Sequence, residues 1–281
     1  MASSGLPPTR LPGAYGRKMG GGRPRKAVPL AALLIASCWT TPARTSSVEL
    51  WRLDCGHFEL RNINGRPRTV SNGRYLLRHG RDYMLWDAGL EEKLVGRPRV
   101  SESQALNLSR TLPTQFAEIG VQPERIGRIG VSYHHGDHLG QAARFPQATL
   151  LIGRKDWAEI RTNAAEASLM RPWLGRVTEL EGDYNVFGGG SVVVDTPGPT
   201  LGHHPLLVHL SGRAVLLAGD AVHFRDRRAT RQSSGDHFDK PAGVRSIDRM
   251  LEIARRMPAR IVVQHDSSGI DELPAFPLAA A

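Results

Sequence analysis

From Val48 onward, short apolar runs recur along the chain, separated by tracts rich in glycine, proline and charge. Runs of this length, bounded by turn residues, predict strands. Val48–Leu53, Tyr75–Arg78 and Tyr83–Trp86 come first, the last two joined by a turn at Arg78-His79-Gly80-Arg81-Asp82. Further strands are predicted over Arg128–Val131, Thr149–Ile152, Ser191–Val194, Leu206–Leu210, Ala214–Leu217 and Ile261–Val263. Helical spacing is read over Ser101–Leu112, after Pro113 as far as a capping Gly120, and over Leu139–Arg144, Lys155–Thr162 and Val244–Arg256. The last is amphipathic, with Val244, Ile247, Met250, Leu251 and Ala254 on one stripe. Strands and helices mixed in this order predict an α/β fold, sheets covered by helices, in one domain from about Val48 to Ala281.

The polar clusters fall where the strands end. Asp87 follows Trp86, the histidine tract follows Val131, Asp195 follows Val194, Asp220 follows Leu217 and His265 follows Val263. Several strand ends converging on one place are how a rigid scaffold builds a site from loops.

Composition changes this picture mainly at the N-terminus. With 40% hydrophobic residues and five tryptophans in 281 positions, the chain can fill a core. Its net charge of +10 suggests nucleic acid until the charges are located. Arg10, Arg17, Lys18, Arg23, Arg25 and Lys26 all precede residue 38 with no acid among them, and without these six the basic excess falls to four. Nucleic-acid binding is therefore discounted. The basic stretch leads into Ala27–Ala36, an apolar run too short to span a bilayer but suited to a signal segment. Residues 1–43 are read as that segment, with Met19 an alternative start and Thr40–Ser47 a polar tether. Ile35-Ala36-Ser37-Cys38 resembles a bacterial lipobox, and simple cleavage near Ala43 is the other reading. The expected location is the bacterial periplasm or envelope, with membrane contact only through a lipid at Cys38. Cys38 and Cys55 are the only cysteines, which excludes a disulfide framework and any cysteine cluster for a metal.

The chemistry concentrates in Val131-Ser-Tyr-His-His-Gly-Asp-His-Leu-Gly140. His135, Asp137 and His138 offer imidazole nitrogen and carboxylate oxygen, a donor set suited to zinc or a similar divalent ion. They cannot close a coordination sphere alone. His203 in a glycine-rich loop, Asp220 after an apolar strand and His265 near the C-terminus are the candidate partners. A carboxylate at the end of a buried strand needs a cation or hydrogen bonds to be tolerated. His57, His79 and His209 are read as surface or satisfied histidines, His204 as a neighbour of the site and His237 as a candidate pocket wall. Gly188–Gly190 is read as a plain loop, since no helix follows it to cradle a phosphate.

These tracts resemble the metallo-β-lactamase superfamily, an αββα sandwich of metal-dependent hydrolases. The resemblance rests on Ser132–Gly140, Thr196–His203, Gly219-Asp220, His265 and the early turn Asp87-Ala88-Gly89. Val48–Gly56, Tyr83–Leu90, Arg144–Ile152 and Gln264-His265-Asp266 are similar to its N-acyl homoserine lactonase branch. The resemblance implies that His135 and His203 bind a first metal, Asp137, His138 and His265 a second, and that Asp220 bridges them. It implies further that Asp137 orients or deprotonates the attacking water and that His223 acts as an acid toward the leaving group. The implied reaction is lactone ring opening on N-acyl homoserine lactones. A thioester or other small-ester hydrolase, and a degenerate metal-binding member, are the alternatives. The expected partner is a small-molecule lactone or ester. The oligomeric state is open, a homodimer being one option.

This chain departs from the pattern in three places. Tyr133 stands at the first ligand position, as though a His-Tyr order were inverted to Tyr133-His134. On an extended loop, positions i and i+2 point alike while i+1 points away, so His134 does not simply replace the missing ligand. Pro199 replaces a histidine of the second motif, and Phe58–Val70 is short for the lactonase branch. The expectation is one strong and one weakened metal position.

Overall fold

Two long strands organise the molecule. β1 (Glu49–Ile63) and β2 (Arg66–His79) pair antiparallel with Leu50 opposite Leu77 and Leu53 opposite Arg74. Side chains alternate across a strand, and here both faces are apolar. On β2, Leu76 turns to a cluster with Trp51, Leu53, Leu85, Phe116 and Trp157, whereas Tyr75 and Leu77 turn to another with Trp86, Val193, Leu206 and Leu217. A sheet buried on both faces must be covered twice. The structure is a computed structural model. It describes residues 48–281 except 64–65, 165–166, 168–169, 234–236 and 268–270, all within one compact unit, and the targeting segment with its lipobox lies outside them.

Among the described residues the first sheet has nine strands. Beside β1 and β2 these are β3 (Asp82–Trp86), β4 (Arg99–Val100), β5 (Gln104–Asn107), β6 (Ile126–Gly130), β7 (Thr149–Gly153), β8 (Val177–Leu180) and, further along the chain, Ala279–Ala280. β3, β6, β7 and β8 run parallel, so the loops after β3 and β6 leave the sheet at the same end. The second sheet holds β9 (Tyr184–Val186), β10 (Ser191–Val193), β11 (Leu206–Leu210), β12 (Arg213–Leu217) and β13 (Ala259–Val262), with β12 and β13 parallel. The C-terminal Ala279–Ala280, β14, pairs with β1.

Helices close the outer faces. α1 (Leu112–Glu118) starts at Thr111, whose hydroxyl accepts from the Thr114 amide, and is followed by Gly120 at φ 69°. α2 (Gly136–Leu139) is a single turn in the histidine tract. α3 (Arg154–Thr162) buries Trp157 and Ile160 on the first sheet. After α4 (Arg225–Thr230), α5 (Lys240–Arg256) packs along β13 behind an Asp239 cap. The layers are helix, sheet, sheet, helix: the αββα sandwich that the motifs implied.

Several local expectations need correction. Ser101–Leu112 is not a helix: β5 lies there, pairing Leu106 with Phe58 of β1. Leu106 and Leu108 bury against Leu90 and Leu94, and the open edge of β1 supplies the backbone partners that a helix would otherwise make internally. Phe58–Val70, read from the sequence as short, lies at the far end of the β1–β2 hairpin, with Phe58 opposite Val70. On α5 the buried face runs through Gly243, Ser246, Ile247, Met250 and Ile253, leaving Leu251 half-buried and Val244 exposed. β8, β9 and the C-terminal pair are too short to have stood out in the sequence.

Candidate metal centre

The turn after β3 begins the site. Asp87 has φ 59° and is fully buried. Its Oδ1 accepts from the Ser132 amide at 2.7 Å and its Oδ2 from the Ser132 hydroxyl at 2.8 Å. The left-handed conformation is tolerable for an aspartate whose side chain bonds locally. Two residues on, Gly89 is at φ 66°, and a Cβ there would lie 2.4 Å from that of Cys55, so the turn needs glycine. Asp87 Oδ2 also stands 2.9 Å from His138 Nδ1. That contact orients the imidazole and leaves Nε2 to point inward. His138 Nε2 is buried and has no hydrogen-bond partner.

Facing this nitrogen are its own neighbour in α2 and the loops that follow β12 and β13. Asp137 Oδ2 is 3.3 Å away and Asp220 Oδ1 3.4 Å. His265 Nε2 is 3.7 Å from Asp137 Oδ2 and 3.0 Å from Asp220 Oδ1. His265 Nδ1 donates to the Ser71 carbonyl at 2.8 Å, which turns its Nε2 toward the carboxylates. Four ligands at about 2.0–2.2 Å from a tetrahedral ion stand about 3.3–3.5 Å from one another. The four measured separations, 3.0–3.7 Å, fall around that value, and Asp137, His138 and His265 offer donor atoms all within 4.8 Å of each other. The residues fit a divalent ion.

Asp220 is the hub. Gly219 before it sits at φ 55°, where a Cβ would come within 2.6 Å of His203 Nε2. The Asp220 carboxylate meets Gln264 Nε2 at 3.1 Å on Oδ1, while Oδ2 accepts from the Tyr133 hydroxyl at 2.6 Å and faces His223 Nε2 at 3.1 Å. Burial opposes a charge here, yet His265, His223 and His138 outweigh it and hold this carboxyl well below the ordinary range. Asp137 behaves alike: burial is overcome by His138 and by Arg74. For His138, burial and Arg74 oppose protonation, but Asp137, Asp87 and Asp220 keep its imidazole well above the usual value. In the metal-free protein that proton does part of a cation's work, and metal binding would release it.

His135 and His203 are not drawn into this cluster in the same way. His135 is exposed. His203 is fully buried, directs Nδ1 to the Thr196 carbonyl at 3.1 Å, and accepts the Asp220 backbone N–H on Nε2 at 3.1 Å. Burial lowers its pKa to about 3, so it stays neutral. Tyr133 occupies the space between them, its ring centroid 4.4 Å from that of His135, 4.3 Å from His138 and 5.5 Å from His203. His134 turns the other way, as the loop alternation predicts, with Nδ1 3.3 Å from Asp156. His223 stacks on His265 at 5.6 Å. His237 closes the near side, donating from Nε2 to the Asp220 carbonyl at 2.9 Å, and His204 is buried against the Gly202 carbonyl.

Two participants went unseen in the sequence. Asp87 was legible as a turn after a strand, though not as the residue holding His138. Arg74 had no signal, since one arginine in an arginine-rich chain looks like surface. It is fully buried, and its Nη2 bonds the Asp137 carboxylate at 2.9 Å and the Asp137 carbonyl at 2.7 Å.

A donor cluster of this kind, at strand ends between two helix-covered sheets, defines a metal-dependent hydrolase. The family model of the metallo-beta-lactamase superfamily matches residues 75–265, and the chain belongs to that superfamily. An N-acyl homoserine lactonase AttM of Rhizobium johnstonii is 26% identical over 224 residues, 72% of this chain and 84% of that protein. N-acyl homoserine lactonase AiiA of Bacillus thuringiensis subsp. kurstaki is 24% identical over 214 residues, again 72% and 84%. Among solved structures, B. thuringiensis AiiA with N-decanoyl-L-homoserine bound at its active site superposes with a TM-score of 0.73 at 20% identity, over 83% of this chain and 99% of that one. AidC, a dizinc quorum-quenching lactonase, superposes with a TM-score of 0.62 at 14% identity, over 84% and 91%.

Proposed function

We propose that the chain opens the lactone ring of N-acyl homoserine lactones, with zinc as its metal. The observation that carries this reading is the convergence of Asp137, His138 and His265, donor atoms within 4.8 Å of one another, with Asp220 Oδ1 3.4 Å from His138 Nε2 and 3.0 Å from His265 Nε2. Relatives named for that activity over most of their length support the substrate class. A divalent ion held by these residues supplies a Lewis acid that acidifies a water and polarises the ester carbonyl. The protein's own groups do the rest. His138 and Arg74 keep Asp137 ionised, and the Arg74 bond holds its carboxylate toward His138 and His265, where it can orient a water. Asp87 fixes the ring of His138 through Nδ1. His223, more open than the buried ligands and tethered at 3.1 Å to Asp220, is suited to pass its Nε2 proton to the departing alkoxide.

Ring opening turns a neutral lactone into a carboxylic acid, so proton release followed with an indicator measures it directly. The zinc-supplemented chain should consume N-acyl homoserine lactones of short and long acyl length. Asp220→Ala should reduce the rate to background by removing a ligand and the anchor of His223. Cleavage of a thioester while lactones persist would transfer the reading to a thioesterase. No turnover of either class by metal-saturated protein would favour the degenerate member, for which Tyr133 is the structural argument.

A further inference from the structure

We infer that this centre is built for a single divalent ion, with the Tyr133 ring standing in the volume of a first ion and the Arg74 guanidinium offsetting one of the carboxylates that a second ion would otherwise balance. The inference rests on the metal-dependent reading of the site, and it concerns how many ions this chain accepts.

The donors that a first ion would need are already committed. His203 Nε2 accepts the Asp220 amide at 3.1 Å, and its other ring nitrogen faces the Thr196 carbonyl, so its one lone pair is in use. Asp220 Oδ2 is taken by the Tyr133 hydroxyl at 2.6 Å, which leaves Oδ1 as the oxygen facing His138 and His265. The phenol itself is only 3% exposed and sits among three imidazoles, with centroids 4.3–5.5 Å away. A ring of that size and a metal ion cannot share the space.

Charge points the same way. Asp87, Asp137 and Asp220 place three negative charges in or beside the cluster. The Arg74 guanidinium, fully buried and bonded to Asp137, offsets one of them, and one divalent ion offsets the other two. A second ion would leave an uncompensated double charge in a desolvated site, where charge without a partner is costly. Arginine cannot relieve this by losing its proton.

The test is a metal count on the full-length protein. The chain is stripped with chelator and titrated with Co²⁺, the visible absorption of bound cobalt giving the endpoint and elemental analysis after gel filtration giving the number retained. Wild type should saturate at one equivalent, and Tyr133→Phe, which keeps the ring, should do the same. Tyr133→His should begin to take up a second equivalent, and Arg74→Met added to it should tighten that second ion at least tenfold. Two ions held tightly by wild type would overturn the inference while leaving the hydrolase reading intact. So would a Tyr133→His protein that stops at one equivalent in both Arg74 backgrounds with a native near-ultraviolet spectrum. Binding of no ion at all would overturn both readings.

Discussion

Asp87 Oδ2 lies 2.9 Å from His138 Nδ1, and the same oxygen takes the Ser132 hydroxyl. A carboxylate behind a metal-binding imidazole sets its tautomer and raises its basicity, and losing such a partner costs about 10–100-fold in metal affinity. Asp87→Ala should weaken metal binding by about that factor, measured by competition against a chromophoric chelator. Affinity within threefold of wild type would mean that Asp87 only shapes the turn. His134 shows why a residue must be placed before it is exchanged. Inversion of the Tyr133-His134 order suggests swapping both residues, yet His134 pairs with Asp156, which also accepts from the Thr200 hydroxyl and the Gly202 amide at 2.8 Å each. Changing His134 would therefore disturb the loop that carries His203. Tyr133→His alone is the cleaner substitution.

At the level of elements, α5 separates existence from phase. Its period was readable over Val244–Arg256, because hydrophobic spacing acts locally, whereas the start behind Asp239, a turn earlier, was not read from the sequence. Which residues face inward depends on the angle at which the helix meets β13, and that shifts the buried stripe toward Gly243, Ser246, Met250 and Ile253. Ile253→Ala should cost about 2–5 kcal/mol as a buried large-to-small change. Val244→Ala should stay within about 0.5 kcal/mol, as exposed sites do. Urea midpoints at constant slope would check both, and equal losses would mean that the stripe read from sequence is the correct one. β5 makes the complementary point. Its residues carry a plausible helical spacing, and only the unpaired edge of β1, whose Phe58 pairs with Leu106 and Leu60 with Gln104, makes the strand the better answer.

For the whole molecule, the buried charges set a pH profile in the metal-free state. His138 is raised above its ordinary value of 6.5, so its share of stability is complete below pH 6.5 and is lost as the pH rises through the folded value. His203, lowered to about 3, works in the opposite direction: below pH 6.5 the unfolded chain takes up a proton that the folded one refuses. Asp137 and Asp220, lowered from 3.8, add a further loss as the pH falls below that value. Chelator-treated protein should accordingly be most stable near pH 6–7 and weaken on both sides, by denaturant midpoints across the range. Stability still rising between pH 7 and 9 would contradict the assignment for His138. Added metal should flatten the alkaline side, since it displaces the His138 proton. We also propose export, on the strength of the basic and apolar tracts of residues 1–43. Among the described residues no helix is long and apolar enough to cross a membrane. Fractionation of a bacterial host should recover the product in the envelope, with labelled fatty acid at Cys38 if the lipobox is used. Full-length cytoplasmic protein retaining Met1 or Met19 would refute this.

Most of the scaffold was written locally. Strand runs, the Pro113 start and Gly120 stop of α1, and the placing of Asp87, Asp137, Asp220 and His265 after strands follow from periodicity and turn chemistry. They follow because strand and helix signals reach only a few residues along the chain. The direction of the loop side chains was legible too, since alternation alone sends Tyr133 inward and His134 outward. What only the tertiary structure decided is who meets whom. Arg74 reaches Asp137 across 63 positions, Tyr133 reaches Asp220 across 87, and His265 Nδ1 finds the Ser71 carbonyl across 194. No local pattern distinguishes a buried arginine from a solvated one. Its role is set by the carboxylates that distant strand ends bring beside it, in a space too dry to leave any of them unpaired.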